Sequence, residues 1–328
     1  RGASFFDFPV FGPARVIADV TGHGINDVSQ FYKSGSTVYG SVVAGGLDAD
    51  DLILPNATPP DYWAIDDIGI ERGVRFLDVN GDGKADIVRG YHNYTTPATT
   101  SALYLSNASY PSTFSWTAST SYKGIIPVFD YDGSSTVSNL TTGILGDVNA
   151  DGFPDFQQYL NGYYSPASFL GNGSAWNQAT STIFVPPFTM PTSTTTPDYT
   201  NSQLVDINAD GLPDWAYSTA TSTFFLMNTG SGWETTPDSR WTLATSTVYK
   251  DSTATTTRTY DRGMRFLDIN GDGLPDFVRA YKMPNYASST VDEIEVGDFK
   301  FVMLNTGGGW ATTTLYSLAT YITEGSLT

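Results

Sequence analysis

The stretch Phe266-Leu267-Asp268-Ile269-Asn270-Gly271-Asp272-Gly273-Leu274-Pro275-Asp276-Phe277-Val278 puts oxygen-bearing side chains at positions 1, 3, 5 and 9 of a tight loop, with glycine at position 6. Carboxylate and amide oxygens at that spacing suit a hard cation taking about six to eight oxygen ligands, and calcium fits best. The glycine permits the turn that points the position-7 carbonyl inward. The chain carries three more full copies: Asp78, Asn80, Asp82 and Asp86; Asp147, Asn149, Asp151 and Asp155; Asp206, Asn208, Asp210 and Asp214. A weaker copy has Asp19, Thr21, His23 and Asp27 at the same offsets.

One such loop is also a common way to write a hairpin turn. Four copies that keep the aspartate at position 9 go beyond what a turn needs, so these sixteen residues are the candidate metal ligands. Four calcium ions are expected, with a fifth only if the first loop binds. There, Thr21 is a weak oxygen donor and His23 offers nitrogen, so Asp19, Thr21 and Asp27 form the weaker candidate set and a loop closed by hydrogen bonds is the expected state.

The flanks exclude a helix–loop–helix site. Position 12, where a bidentate glutamate would stand, holds Arg89, Gln158, Tyr217 and Arg279. Short apolar runs such as Phe76-Leu77 and Ile87-Val88 bracket the loops, and Pro154, Pro213 and Pro275 fall at position 8, which suits the first residue of a strand. Each loop is therefore expected to join two strands.

The position-1 aspartates stand at 19, 78, 147, 206 and 268, spaced 59, 69, 59 and 62 residues apart. After each full loop and its strand come an apolar run, a small polar turn and a tryptophan: Trp116, Trp176, Trp233 and Trp310. Each repeat thus supplies four strands. A period near 60 with strand-flanked loops predicts an all-β fold, a β-propeller of four-stranded antiparallel blades with five repeats, closed on itself as a single domain over residues 1–328. The first repeat departs from the pattern and carries Asp48, Asp50 and Asp51, read as an irregular acidic loop. The longer second repeat is expected to place Val128–Gly143 in a surface loop.

Formal net charge is −18, from 34 acidic and 16 basic residues, and fourteen of the acids lie in the five loops. Much of the acidity is therefore ligand, and it argues against nucleic acid, which wants a basic stripe. No apolar stretch approaches the length of a membrane span, and direct membrane insertion is not expected. The chain starts at Arg1 and lacks cysteine. The Arg1 start suggests a piece of a longer polypeptide; the lack of cysteine leaves the compartment open, and the calcium-type loops point outside the cell, secreted or at the cell surface, where calcium is plentiful. The sequons at Asn56, Asn93, Asn107, Asn139 and Asn172 matter only in a host that glycosylates.

Catalytic signatures are scarce. The two histidines are His23 and His92, and neither a nucleophile elbow nor a phosphate loop is present. The chain is expected not to be an enzyme. A polysaccharide lyase is the enzymatic alternative, with Arg72, Arg75, Arg262 and Arg265 as residues to test. Arginines repeated in RGVRFLD and RGMRFLD are read first as partners of loop carboxylates or cover for the sheet face. The in-phase tryptophans, with Trp63, are read as packing residues, and carbohydrate stacking on them is the competing use.

Strand-flanked D-x-N-x-D-G-x-x-D loops at this period resemble the FG-GAP or VCBS-type repeats, the calcium-loop blades of integrin alpha-chain propellers. RFLDINGDGLPDFVR followed by FVMLNTGGGW is similar to repeats of bacterial secreted proteins of the insecticidal toxin-complex, SpvB and Rhs kind. The resemblance implies that the four full loops bind calcium. It also implies a rigid structural, adhesion or assembly module whose partner is a protein or another copy of the chain within a larger surface structure. A lectin-like module binding glycans is the alternative role. If calcium fills the loops, chelation lowers the melting temperature; an unchanged melting curve in excess chelator would remove the metal assignment.

Overall fold

The computed structural model describes residues 14–34, 37–43, 53–54, 73–93, 98–108, 115–120, 122, 125–132, 140–141, 143–158, 166–179, 184–185, 202–218, 222–244, 248–252, 257–261, 264–283, 297–313, 316, 318 and 323–324. Asp48, Asp50, Asp51, Trp63, Arg72 and Arg262 lie outside them.

The strands come in chain order, sheet by sheet. The first sheet joins β1 (Ala14–Ala18), β2 (Asp27–Ser34), β3 (Thr37–Val43) and β4 (Ile53–Leu54) in the order β1-β2-β3-β4. The second contains β5 (Val74–Leu77), β6 (Asp86–Asn93), β7 (Ala98–Ser106), β8 (Trp116–Ala118), β9 (Asp130–Asp132) and β10 (Leu140–Thr141). Its order is β10-β9-β6-β7-β8, with β5 also paired to β6. The third runs β11 (Gly143–Gly146), β12 (Asp155–Gln158), β13 (Ala167–Gly171), β14 (Trp176–Gln178). The fourth has β15 (Ser202–Val205), β16 (Asp214–Ser218) and β17 (Thr223–Leu226), and β18 (Val248–Ser252) with β19 (Thr257–Asp261) forms a hairpin. The last sheet contains β20 (Met264–Leu267), β21 (Asp276–Met283), β22 (Gly297–Asn305), β23 (Trp310–Thr313) and β24 (Thr323–Glu324).

The local expectations hold. Every repeated loop joins two consecutive strands, and its position-9 aspartate is the first residue of the outgoing strand, paired with the last residue before the loop as in Leu77↔Asp86 and Leu267↔Asp276. The fourth strand starts at the tryptophan in β8, β14 and β23. In the fourth sheet the same position is the isolated bridge Asn228↔Trp233.

The expected closed propeller of five four-stranded blades does not hold. The described strands form separate sheets of four, six, four, three, two and five strands, and no sheet among them closes on itself. The loop motif fixes a hairpin through local hydrogen bonds, whereas ring closure depends on sheet-to-sheet packing that a sequence period does not encode. Nor is Val128–Gly143 simply a loop, since it contributes β9 and β10.

Incoming strand β5 pairs only with Asp86–Arg89, leaving the far half of β6 open. There β9 adds in parallel, with Tyr91 opposite Asp130. β24 does the same on β21, with Tyr281 opposite Thr323, at the corresponding register. Gly90 makes this approach possible, because a Cβ there would lie 1.8 Å from the Pro127 carbonyl oxygen. The Arg75 guanidinium clamps β9 with two bonds of 3.1 Å to the buried Asp130 carboxylate.

The described chain divides into two compact units: Arg1–Gly143 with Asp151–Gln158 and Ala167–Thr180, and Ile144–Ala150 with Tyr159–Pro166 and Ser181–Thr328. Strand residues supply each core, and the central strands are buried at consecutive positions rather than on one face only, as in β6 and β12. In the first, Val20, Val42, Val74, Phe76 and Ile87 pack with Trp116, and Phe129 packs edge-on to Phe156 and Trp176. In the second, Ile207, Phe225, Met227, Trp241, Met264 and Phe277 form the largest cluster, with Phe266 and Trp310 against it. No helix among the described residues is long and apolar enough to cross a membrane.

Phe277 is fully buried among Phe266, Phe301 and Trp310, whereas Leu267 is 42 % exposed. Phe277→Ala is therefore expected to cost about 3–5 kcal/mol in urea unfolding, and Leu267→Ala less than about 1 kcal/mol. Equal effects would refute this core assignment.

Candidate metal centre

All five loops share one backbone conformation. Position 4 has positive φ in each, at Gly22 (74°), Gly81 (75°), Ala150 (57°), Ala209 (56°) and Gly271 (80°). Position 6 does too, from Gly24 and Gly83 (84°) to Gly211 (91°). Open space surrounds the position-6 glycines, so backbone angle rather than crowding demands glycine there.

This conformation turns successive amides toward the first aspartate. Asp78 accepts from the N–H groups of Gly81 (2.7 Å), Asp82 (3.1 Å) and Gly83 (2.8 Å), and Asp268 accepts from Gly271, Asp272 and Gly273 at 2.6, 3.1 and 2.9 Å. The Gly273 amide, followed by those of Gly271 and Asp272, holds the Asp268 carboxyl below the usual carboxylate range. Asn80, Asn208 and Asn270 at position 3 each accept the amide of position 5 at 2.9 Å. The position-5 residues Asp82, Asp151, Asp210 and Asp272 stand exposed.

Position 9 behaves differently. Asp86, Asp155, Asp214 and Asp276 are fully buried. Asp86 accepts the Val79 amide on Oδ2 at 3.2 Å and the Ser106 amide on Oδ1 at 2.9 Å. Asp214 does the same with Ile207 (3.0 Å) and Asn228 (2.8 Å), and Asp276 with Ile269 (3.0 Å) and Asn305 (2.8 Å). Asp155 accepts the Gly171 amide at 2.8 Å. Asp86, Asp214 and Asp276 thereby tie their own loops to the end of the third strand.

Burial pushes the Asp86 and Asp214 carboxyls up to about 7. The amides of Ser106 and Val79, or of Asn228 and Ile207, pull back, while the neighbouring loop aspartates add repulsion. A divalent cation among Asp78, Asp82 and Asp86 would offset that repulsion, and a carboxylate has lone pairs for both an amide and a metal. The donor types of the full loops suit a hard cation, but the acidic side chains of Asp78, Asp82 and Asp86 are not gathered into a metal-sized group as those of the first loop are.

Sequence reasoning ranked the first loop lowest, yet the structure brings its ligand-type side chains together. Among the described residues, Asp19, His23 and Asp27 form a group whose ligating atoms all lie within 4.8 Å of one another, and it could hold a metal ion. The available signal was His23 itself, a metal ligand at position 5. Arg75, considered for lyase chemistry, grips Asp130, and Arg265 donates to the Met264 carbonyl at 2.8 Å. His92 contacts Thr99 Oγ1 at 3.0 Å on an exposed edge. Trp176, Trp233 and Trp310 donate their indole N–H to the carbonyls of Pro154, Phe184 and Trp241 at 2.7, 2.9 and 2.9 Å, as packing residues do.

No family model matches the chain, and no curated protein does. Among solved structures, a lectin of Agrocybe aegerita with specific recognition of non-reducing terminal N-acetylglucosamine is similar at 16 % identity and a TM-score of 0.50. The match covers 91 % of this chain and 64 % of the lectin chain, so the chain spans just under two-thirds of that protein. Two toxin structures, TcdB2-TccC3-Cdc42 and TcdB2-TccC3, match at 15 % identity and a TM-score of 0.30, over 81 % of this chain and 13 % and 14 % of theirs. The protein is thus of the all-β, multi-sheet class, similar in fold to that lectin at low identity; the propeller implied by the FG-GAP and VCBS resemblance is not part of that finding.

The raised pKa values set a pH dependence for the metal-free protein. Between about pH 4 and 7 the folded state holds protons on Asp86 and Asp214 that the unfolded chain releases, so stability falls as pH rises through this window. Denaturation in chelator should give a higher midpoint at pH 5 than at pH 8, with a flatter slope in Asp86→Asn and Asp214→Asn. An unaltered slope in both variants would assign the dependence elsewhere.

Proposed function

We propose that this chain is a non-catalytic, calcium-stabilised β-sheet module that recognises carbohydrate outside the cell. The observation that carries the reading is the fold likeness to a lectin across 91 % of the chain. Calcium is assigned a structural role, bound by Asp78, Asn80, Asp82 and Asp86 and by the sets beginning at Asp147, Asp206 and Asp268. These loops hold hairpins in register, and sugar recognition falls to other surfaces. Net charge of −18 is compatible with neutral glycans and disfavours polyanionic ones. The likeness to the toxin chains is too slight to support an assembly role, although protein partners fit the same class of module.

A glycan array probed in millimolar calcium tests this. Binding to neutral glycans, with those ending in non-reducing N-acetylglucosamine among the hits, is the expected result. An array with no signal from protein of verified fold would overturn the carbohydrate assignment and leave a structural or assembly role.

A further inference from the structure

We propose that the first loop is a site for a transition metal of the zinc class, distinct in metal preference from the four calcium-type loops. Its backbone matches theirs, with φ of 74° at Gly22 and 84° at Gly24, so His23 occupies the place of the position-5 aspartate. His23 Nδ1 lies 3.5 Å from Asp19 Oδ1 and 3.7 Å from Asp27 Oδ1. A tetrahedral ion with bonds of about 2.0–2.1 Å holds its donors roughly 3.4 Å apart, close to both His23 distances, and all three ligating atoms lie within 4.8 Å of one another.

The chemistry agrees with the spacing. Imidazole nitrogen favours zinc and its neighbours, while calcium prefers an all-oxygen shell. The Asp27 side chain is fully buried, and those of His23 and Asp19 are 14 % and 21 % exposed, so the group is sheltered yet reachable from solvent. Asp27 Oδ2 accepts the amides of Val20 and Thr21, both at 2.9 Å, which fixes the carboxylate while Oδ1 faces His23. Thr21 Oγ1, 2.5 Å from His23 Nδ1, marks the hydrogen bond that metal binding replaces and leaves a hydroxyl beside the site. Water completes the shell. The assignment stands on these residues alone and is independent of the carbohydrate reading.

The test uses the whole chain, stripped of metal and then held in saturating calcium. Calorimetric titration with zinc chloride should show one zinc per chain, and cobalt substituted for zinc should give the visible absorption of a low-coordinate site. His23→Ala should weaken zinc binding by at least about a hundredfold, beyond the loss typical of outer partners. His92→Ala, which removes the other histidine, should leave it unchanged. His23→Asp restores the position-5 aspartate of the other loops, so it should lose zinc and gain one calcium per chain in equilibrium dialysis, a readout that survives if the alanine variant folds poorly. Wild-type protein that takes up no zinc in calcium, or a folded His23 variant that binds zinc as wild type does, would overturn the proposal.

Discussion

A buried carboxylate must find donors, and at position 9 Asp86, Asp214 and Asp276 each find theirs in two backbone amides far apart in sequence. One belongs to position 2 of the same loop. The other begins the turn after the third strand, at Ser106, Asn228 or Asn305, where Asp155 accepts the amide of Gly171. These bonds, made out of water, define where the second strand starts and where the third ends. Removing such a side chain would strand two buried amides, each a loss of about 1–3 kcal/mol.

The same turn residue reaches further. Asn228 Nδ2 donates to the Val148 carbonyl and Asn305 Nδ2 to that of Ile207, both at 2.7 Å and both at position 2 of the preceding loop. A continuous path results: Val148, Asn228, Asp214, Ile207, Asn305, Asp276, Ile269. Asparagine suits this place because its NH2 donates to Pro213 or Pro275 as well, while its oxygen accepts the Gly230 or Gly307 amide at 2.9 Å. Elsewhere the task is divided differently. Ser106 Oγ donates to the Val20 carbonyl at 2.6 Å, and the Ala85 amide donates to the Asp19 backbone carbonyl at 2.7 Å, a bond that the prolines at position 8 cannot make. Gly171 has no side chain, and the Trp176 indole takes the Pro154 carbonyl instead.

These relations explain how far the sequence could be read. The loops, the hairpins they close and the strands opening at Trp116, Trp176 and Trp310 were legible because each depends on residues within about ten positions. The recurring asparagine of MNTGSGW and LNTGGGW was visible too, but its partner in the preceding repeat lies 80 to 98 residues away and could be found only in three dimensions. A period near 60 residues encodes the hairpins but not their closure into a ring. The parallel additions β9 and β24 follow from an open edge left by a short incoming strand, a feature that no motif marks. His23 was discounted against calcium preferences, although it is a sound ligand for a different metal.

The tryptophans limit where recognition can occur. An indole stacks on a sugar only when its face is open, and Trp176, Trp215 and Trp241 are fully buried. Trp233 meets Trp215 and Phe184 edge-on at 5.6 and 6.2 Å, and Trp310 meets Trp241 likewise at 5.6 Å. Their in-phase recurrence therefore measures the packing of repeats. The loop carboxylates are similarly committed, to amides at positions 1 and 9 and to the proposed ions. Selectivity for a glycan would then come from side chains that do not recur, such as the apolar Ile125, 56 % exposed in the second repeat. A repeated scaffold with a non-repeated recognition surface separates the residues that keep the fold from those free to change specificity.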